Sequence, residues 1–134
     1  TKIYVKLALD ILAKHNIKAI AHITGGGLVE NVVRVIPKGL GLDIDTKSWD
    51  KAPIFKMIEG FDAIEKRELH KSFNMGVGLV FIVDKEDADA LVKFINERPN
   101  DNAQYVDPIY KDLMEDKAYI IGSVTDSHEG VELL

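Results

Sequence analysis

The chain has 134 residues, of which 46% are hydrophobic and 29% charged, with a formal net charge of -5 and no cysteine. That length supports one ordinary domain with a real core, and the acidic balance excludes a general polyanion binder, which needs a basic footprint. The absence of cysteine removes disulfides, thiolate metal sites and cysteine nucleophiles, and it fits a reducing compartment.

Tyr4, Leu7, Ala8, Ile11 and Leu12 recur at i, i+3, i+4, i+7 and i+8, which predicts an amphipathic helix that breaks near His15 and Asn16. Ile17 to Thr24 is a short apolar run before a glycine triplet and reads as a buried strand, with Ala19 and Ala21 on one face and Ile20 and His22 on the other. Leu28, Val32, Val35 and Ile36 predict a second, short helix stopped by Pro37 and Gly39, although its valines lower helix propensity. Leu40, Leu42 and Ile44 alternate with Gly41, Asp43 and Asp45, the pattern of a half-exposed strand with two aspartates outward. Pro53 suits the first turn of a helix through Ile54, Phe55 and Ile58, and a further helical segment covers Ile64 to His70. Phe73 to Gly78 is a second glycine-punctuated loop, and it feeds Leu79 to Val83, a continuous apolar strand of central-sheet type. Asp84 is expected to cap a helix striped by Ala88, Leu91, Val92 and Ile95, with Asp87 at its third position. An exposed loop from Asn96 to Asp107, a short helix from Ile109 to Met114, a strand from Ala118 to Val124 and a frayed end from Thr125 to Glu129 complete the reading.

Strands and helices mix without strict alternation, so the expected class is a layered α/β or α+β domain with a mixed sheet. The longest apolar run, Gly76 to Val83, is too short to span a bilayer, and no basic-then-apolar leader opens the chain. A soluble, cytoplasmic protein with neither nucleic acid nor membrane as partner is expected. The chain lacks an initiating Met and enters a helical pattern at once, which points to a piece of a longer protein.

The stretch from His22 to Arg34 carries the most functional information, because Gly25, Gly26 and Gly27 stand between a strand pattern and a helix pattern. Glycines there can adopt positive φ, turn N–H groups toward an anion and let it approach the main chain. The alternative is a tight strand-to-helix turn without a ligand. Glu30 occupies the third glycine position of a dinucleotide fingerprint, and no G-x-x-x-x-G-K-[ST] occurs, so any phosphate site is of another kind.

Taken together, Thr1 to Lys6, Ala21 to Val32, Ser48 and Trp49 with Pro53 to Phe55, Phe73 to Gly78, and Ala118 to Val124 resemble, in order, the C-terminal domain of the phosphoribosylformylglycinamidine cyclo-ligases, or aminoimidazole ribonucleotide synthetases. The resemblance covers nearly the whole chain. It implies a three-layer α/β/α domain with a mixed sheet, partly ferredoxin-like. It also implies an N-terminal domain, absent here, that forms a homodimer and supplies much of the ATP and magnesium site. The implied reaction is ring closure in purine biosynthesis. ATP phosphorylates the amide oxygen of formylglycinamidine ribonucleotide, an internal nitrogen attacks, and aminoimidazole ribonucleotide, ADP and phosphate result. Two departures stand out: Val33 replaces a usual proline, which alters the entry of the following helix and the placement of Arg34, and the segment from Asn96 to Tyr110 is longer than usual. Relatives of the same architecture, of formylglycinamidine ribonucleotide synthetase, selenophosphate synthetase or hydrogenase-maturation dehydratase type, are an alternative, as is a non-catalytic phosphometabolite-binding module.

With that resemblance, Thr24 and Gly25 to Gly27 are the first choice for a phosphoryl oxygen of the ribonucleotide or of ATP. Asn31 is expected to donate to a substrate oxygen and Arg34 to clamp a phosphate, against readings as a surface amide and a solvated arginine. His22 is a candidate general base or a hydrogen-bonded core histidine. Asn74, with Gly76 beside it, is expected to fix the substrate amide or amidine, the alternative being a loop cap. His15, His70 and His128 read as surface residues, Asp43 and Asp45 as solvated edge carboxylates rather than magnesium ligands, and Trp49 and Phe55 as packing anchors.

Overall fold

The computed structural model describes residues 2–61, 64–99 and 115–134. The helix expected near Ile109 and most of the loop expected after Asn96 lie outside the described residues. In chain order the elements are α1 (Val5–Leu12), β1 (Ile17–His22), α2 (Gly27–Asn31), a 3-10 turn (Val32–Val35), β2 (Gly41–Ile44), α3 (Pro53–Glu59), α4 (Lys66–Ser72), β3 (Leu79–Val83), a 3-10 turn (Lys85–Asp87), α5 (Ala88–Asn96), β4 (Gly122–Thr125) and β5 (Gly130–Leu133).

The strands form two sheets. β1 and β3 make an antiparallel ribbon in which His22 faces Leu79 and Ala21 faces Val80, with an irregularity between Ile17 and Ala19. β2 lies between β4 and β5, antiparallel to the first and parallel to the second, so this sheet is mixed. Gly122 packs so tightly here that a Cβ would stand 1.9 Å from Asp43 O.

The stripe of α1 holds at Leu7 and Ile11, while Leu12, expected on the same face, is half exposed. Leu7 and Ile11 are buried against Leu91 and Ile95 of α5, with Tyr4, Ile17, Phe81 and Val83 packed around them. Ile11 is fully enclosed, and such burial is worth about 1.5–3 kcal/mol. A second, larger cluster joins Ala21 and Ile23, Leu28 and Val32, Leu42 and Ile44, Trp49, Leu69, Met75 and Val131. Trp49 is therefore a packing anchor. Lys51 reaches over its ring at 4.9 Å and gives its ammonium to Glu59 Oε1 at 2.6 Å and Thr46 O at 2.7 Å.

Several local expectations are corrected. Asp84 makes no side-chain cap; its carboxylate pairs with Lys18 at 2.9 Å, a charge brought beside it by the β1–β3 pairing. The helix after the glycine triplet tightens into a 3-10 turn at Val32, consistent with its run of valines and enclosing the Val33 position. The last predicted strand starts later, at Gly122, and the end expected to fray is a turn into β5. In that turn Thr125 Oγ1 accepts from Ser127 N at 3.1 Å. Val131 is buried and Leu133 half-buried while Glu132 points outward, a strand alternation. Asp43 is not an edge carboxylate, since β2 is the central strand and His128 Nε2 lies 2.7 Å from its Oδ1. That bond, with Glu129 O behind the ring, holds the His128 pKa above its usual value, so His128 is no bare surface histidine. Asp45 is exposed as expected and accepts from Lys47 N at 2.9 Å.

Candidate functional site

Antiparallel pairing places the end of β1 and the start of β3 at the same end of their ribbon. One further bond, Ile23 N to Gly78 O at 2.9 Å, continues the pairing beyond the strands. The loops 24–27 and 73–78 are therefore neighbours, and together they form an exposed rim in which Thr24, Gly25 and Gly76 face solvent. A concavity of about 380 Å³ lined by Ile95, Asn96, Arg98 and Lys117 takes in neither loop.

The three glycines of the first loop do different work. Gly27, with φ 56°, is buried against the end of α4: a Cβ would stand 2.0 Å from His70 O and 2.7 Å from Phe73 O. Its bare backbone serves packing, which corrects its assignment as a phosphate contact. Gly26 has φ 97° and lies beside Glu30, whose Oε2 would stand 2.7 Å from a Cβ. Gly25 has open space around it. Gly27 N donates to Thr24 O at 3.0 Å, whereas among the described residues the N–H groups of Gly25 and Gly26 go to no carbonyl. Two adjacent, uncommitted amides on an exposed turn are what an anion needs.

Asn31 sets the shape of this loop from beneath. It is buried, and its Nδ2 donates to Gly27 O at 2.8 Å, Gly25 O at 3.1 Å and Thr24 O at 3.4 Å. Those hydrogens are committed to the backbone, so the expectation that Asn31 donates to a substrate oxygen is replaced by a positioning role. Glu30, beside Gly26, has its Oε1 3.7 Å from the Lys71 ammonium, which moderates a negative charge close to the loop.

The second loop turns through Met75 at φ 50° and Gly76 at φ 92°. Asn74 Oδ1 accepts from Gly76 N at 3.0 Å and Val77 N donates to Asn74 O at 2.9 Å, the loop-capping arrangement. Its side-chain NH₂ has no such intramolecular bond among the described residues. Met75, a non-glycine residue at positive φ, is held there by full burial and by Trp49 Nε1, which donates to Met75 O at 2.9 Å. Phe55 packs about 3.7 Å from where a Gly76 Cβ would stand.

His22 ends β1 as an exposed side chain with its ring 5.9 Å from that of Tyr4, edge to face, so the core-histidine reading is set aside. Arg34 is exposed on the turn 32–35 and makes no hydrogen bond or ion pair to either loop among the described residues. The structure thus gathers His22, Thr24, Gly25, Gly26, Asn74 and Gly76 at one rim, sinks Asn31 and Gly27 beneath it, and leaves Arg34 on the flank.

His70, read from sequence as a surface residue, is wholly buried under the rim. Its Nδ1 lies 2.8 Å from Lys66 O, its ring meets Trp49 edge to face at 6.2 Å, and its Nε2 has no partner among the described residues. Burial pushes its pKa down, with the Lys51 charge adding to that and the Lys66 carbonyl opposing it. In α4 only Leu69 and His70 are buried, while Lys66 and Phe73 at the same helical spacing are exposed, so the pattern gave little sign of that burial.

A family model described as "AIR synthase related protein, C-terminal domain" matches residues 1–106. The chain belongs to this family. Among its relatives, the phosphoribosylformylglycinamidine cyclo-ligase of Acetivibrio thermocellus is 38% identical over 99% of this chain and 34% of its own length. That of Bacillus cytotoxicus is 43% identical over 91% of this chain and 30% of its own length. The chain thus spans about a third of the length of these family members. The solved structure of the hydrogenase maturation protein HypE of E. coli matches with a TM-score of 0.66 and 19% identity over 98% of this chain and 35% of that one, which shows a shared fold. The α/β class expected from the sequence holds, with mixed pairing. No helix among the described residues is long and apolar enough to cross a membrane.

Proposed function

We propose that this domain supplies the substrate-phosphate side of an ATP-dependent cyclo-ligase that converts formylglycinamidine ribonucleotide to aminoimidazole ribonucleotide, ADP and phosphate. The observation that carries the reading is the pair of uncommitted amides at Gly25 and Gly26, held open by Asn31 on the rim shared with Asn74. Family membership and relatives at 38% and 43% identity support the assignment of the reaction.

In this reading the Gly25 and Gly26 N–H groups and the Thr24 hydroxyl receive phosphate oxygens, using fixed dipoles that need little reorganisation. The free NH₂ of Asn74 orients the amide or amidine of the substrate, and His22 takes the proton from the attacking nitrogen. Arg34, long and exposed, reaches the phosphate from the flank. A phosphate anion fits these residues. Magnesium does not: Glu30, the carboxylate seen beside Gly26, faces Lys71, and the cluster of metal-ligand type found among the described residues is on the other sheet. ATP and magnesium are accordingly assigned to a preceding N-terminal domain, with the homodimer contact.

The test is an NMR titration of the labelled chain, and of the full-length protein, with a ribonucleoside 5'-phosphate analogue and separately with magnesium-ATP. The expected result is a shift of the Gly25 and Gly26 amides with the analogue alone. Gly25→Val, placed where a Cβ meets nothing within 4 Å, is expected to keep the fold and lose the shift. Silence of both amides in the full-length protein with both ligands present rejects the site.

A further inference from the structure

A second constellation lies on the other sheet. Asp43 of β2 and Glu132 of β5 are register partners in the parallel pairing, so their side chains share one face. His128 reaches the same face from the turn before β5. Its Nε2 is 2.7 Å from Asp43 Oδ1 and 3.8 Å from Glu132 Oε2, and one ligand-type atom from each of the three residues lies within 4.8 Å of the other two. No other such triplet converges among the described residues.

The histidine is held in place from two sides. Gly41 makes room for it: a Cβ there would stand 2.4 Å from His128 O and 2.5 Å from its Nδ1. Behind the ring, Nδ1 is 3.2 Å from Glu129 O, the kind of backbone partner that fixes the tautomer of a metal-bound histidine. With hydrogen on Nδ1, Nε2 presents a lone pair. Three electron-pair donors then face one point, which calls for a cation there, either a proton on the ring or a metal ion.

We propose that Asp43, His128 and Glu132 form a divalent metal site of zinc type, separate from the glycine loops. One nitrogen and two carboxylate oxygens suit zinc, whereas magnesium and calcium favour all-oxygen shells. Three protein ligands leave a further position for water or for a group from another molecule. Glu132, whose side chain is 64% exposed, is free to swing into the shell.

The experiment is a calorimetric titration of the 134-residue chain with zinc alone, paralleled by cobalt absorption and by the imidazole NMR signals of the four histidines. One saturable site is expected, with the largest shift at His128. Asp43→Asn and Glu132→Gln are each expected to weaken binding by about tenfold or more, with circular dichroism unchanged. Glu132→Gln changes an exposed side chain, so its result does not depend on the fold surviving a core substitution. Equal affinity in the Glu132→Gln protein, or no saturation below millimolar zinc in the parent, overturns the site and leaves a histidine–aspartate pair that holds a proton.

Discussion

The two glycine loops reach the same rim by different means. The first, 24–27, is shaped locally: Asn31, the last residue of α2, reaches back to three of its carbonyls, and Gly27 lets the end of α4 press against it. The second, 73–78, has a weaker local cap from Asn74 and takes its unusual backbone at Met75 from Trp49, 26 residues earlier in the chain. A loop held by a buried amide and a close backbone contact has little freedom, while one capped at the surface keeps a side chain for other tasks. The first loop is thus suited to presenting rigid amides and the second to presenting an adjustable side chain.

The largest break in this comparison is expected from Gly27→Ala. Positive φ and a Cβ placed 2.0 Å from His70 O combine backbone strain with overpacking, on the order of 3 kcal/mol or more, read as a fall in the urea midpoint. Asn31→Leu comes next. It strips the loop carbonyls of their buried donor, and a loss of about 1–3 kcal/mol is expected, with amide exchange at Gly25 to Gly27 speeding up before the rest of the domain.

Acid sharpens the contrast through His70. Its folded pKa lies below the ordinary histidine value of 6.5, so the unfolded chain binds a proton that the folded chain refuses. The stability it contributes is complete above that value and is lost as pH falls below it toward the folded pKa. Urea midpoints measured between neutral and mildly acid pH are expected to drop in the parent, and the drop is expected to shrink in His70→Leu; equal slopes in the two proteins would remove this account. The smallest effect is expected at the second loop. Asn74→Ala removes an exposed cap worth about 1 kcal/mol or less and is expected to leave the melting curve nearly unchanged while weakening substrate-analogue binding.

What the sequence made legible was what local periodicity encodes. The stripe through Tyr4, Leu7 and Ile11 and the glycine punctuation at both loops appear in the structure at or near their expected places, and the apolar run from Leu79 to Val83 is a strand, though in a two-stranded ribbon and half-buried rather than central in a sheet. What it hid depends on partners distant in the chain. β5 is four residues long in a polar tail and exists because β2, far upstream, offers it a parallel edge. The burial of His70 and the pairing of His128 with Asp43, 85 residues away, follow from tertiary packing. Gly27 shows the other limit: a glycine in a triplet reads as a ligand contact, yet its missing Cβ answers to the carbonyls of α4. The uncommitted amides are Gly25 and Gly26, a distinction that no spacing rule conveys.

The position of β2 has a consequence for how the chain is made. Its two neighbours are β4 and β5, which come at residues 122–125 and 130–133, so during synthesis both sides of β2 stay open until the last part of the domain emerges. β1 and β3 can zip together well before that. The nascent domain therefore passes through a stage with one ribbon formed and one strand bare, and an unpaired strand edge recruits other chains. The final segment closes that window: Thr46 Oγ1 and Lys66 Nζ donate to Leu134 O at 2.9 and 2.5 Å, and Arg67 donates to Val131 O at 2.9 Å. Residues 130–134 act as a latch for the nascent domain, and a chain truncated before Gly130 is expected to leave β2 open on that side and to aggregate.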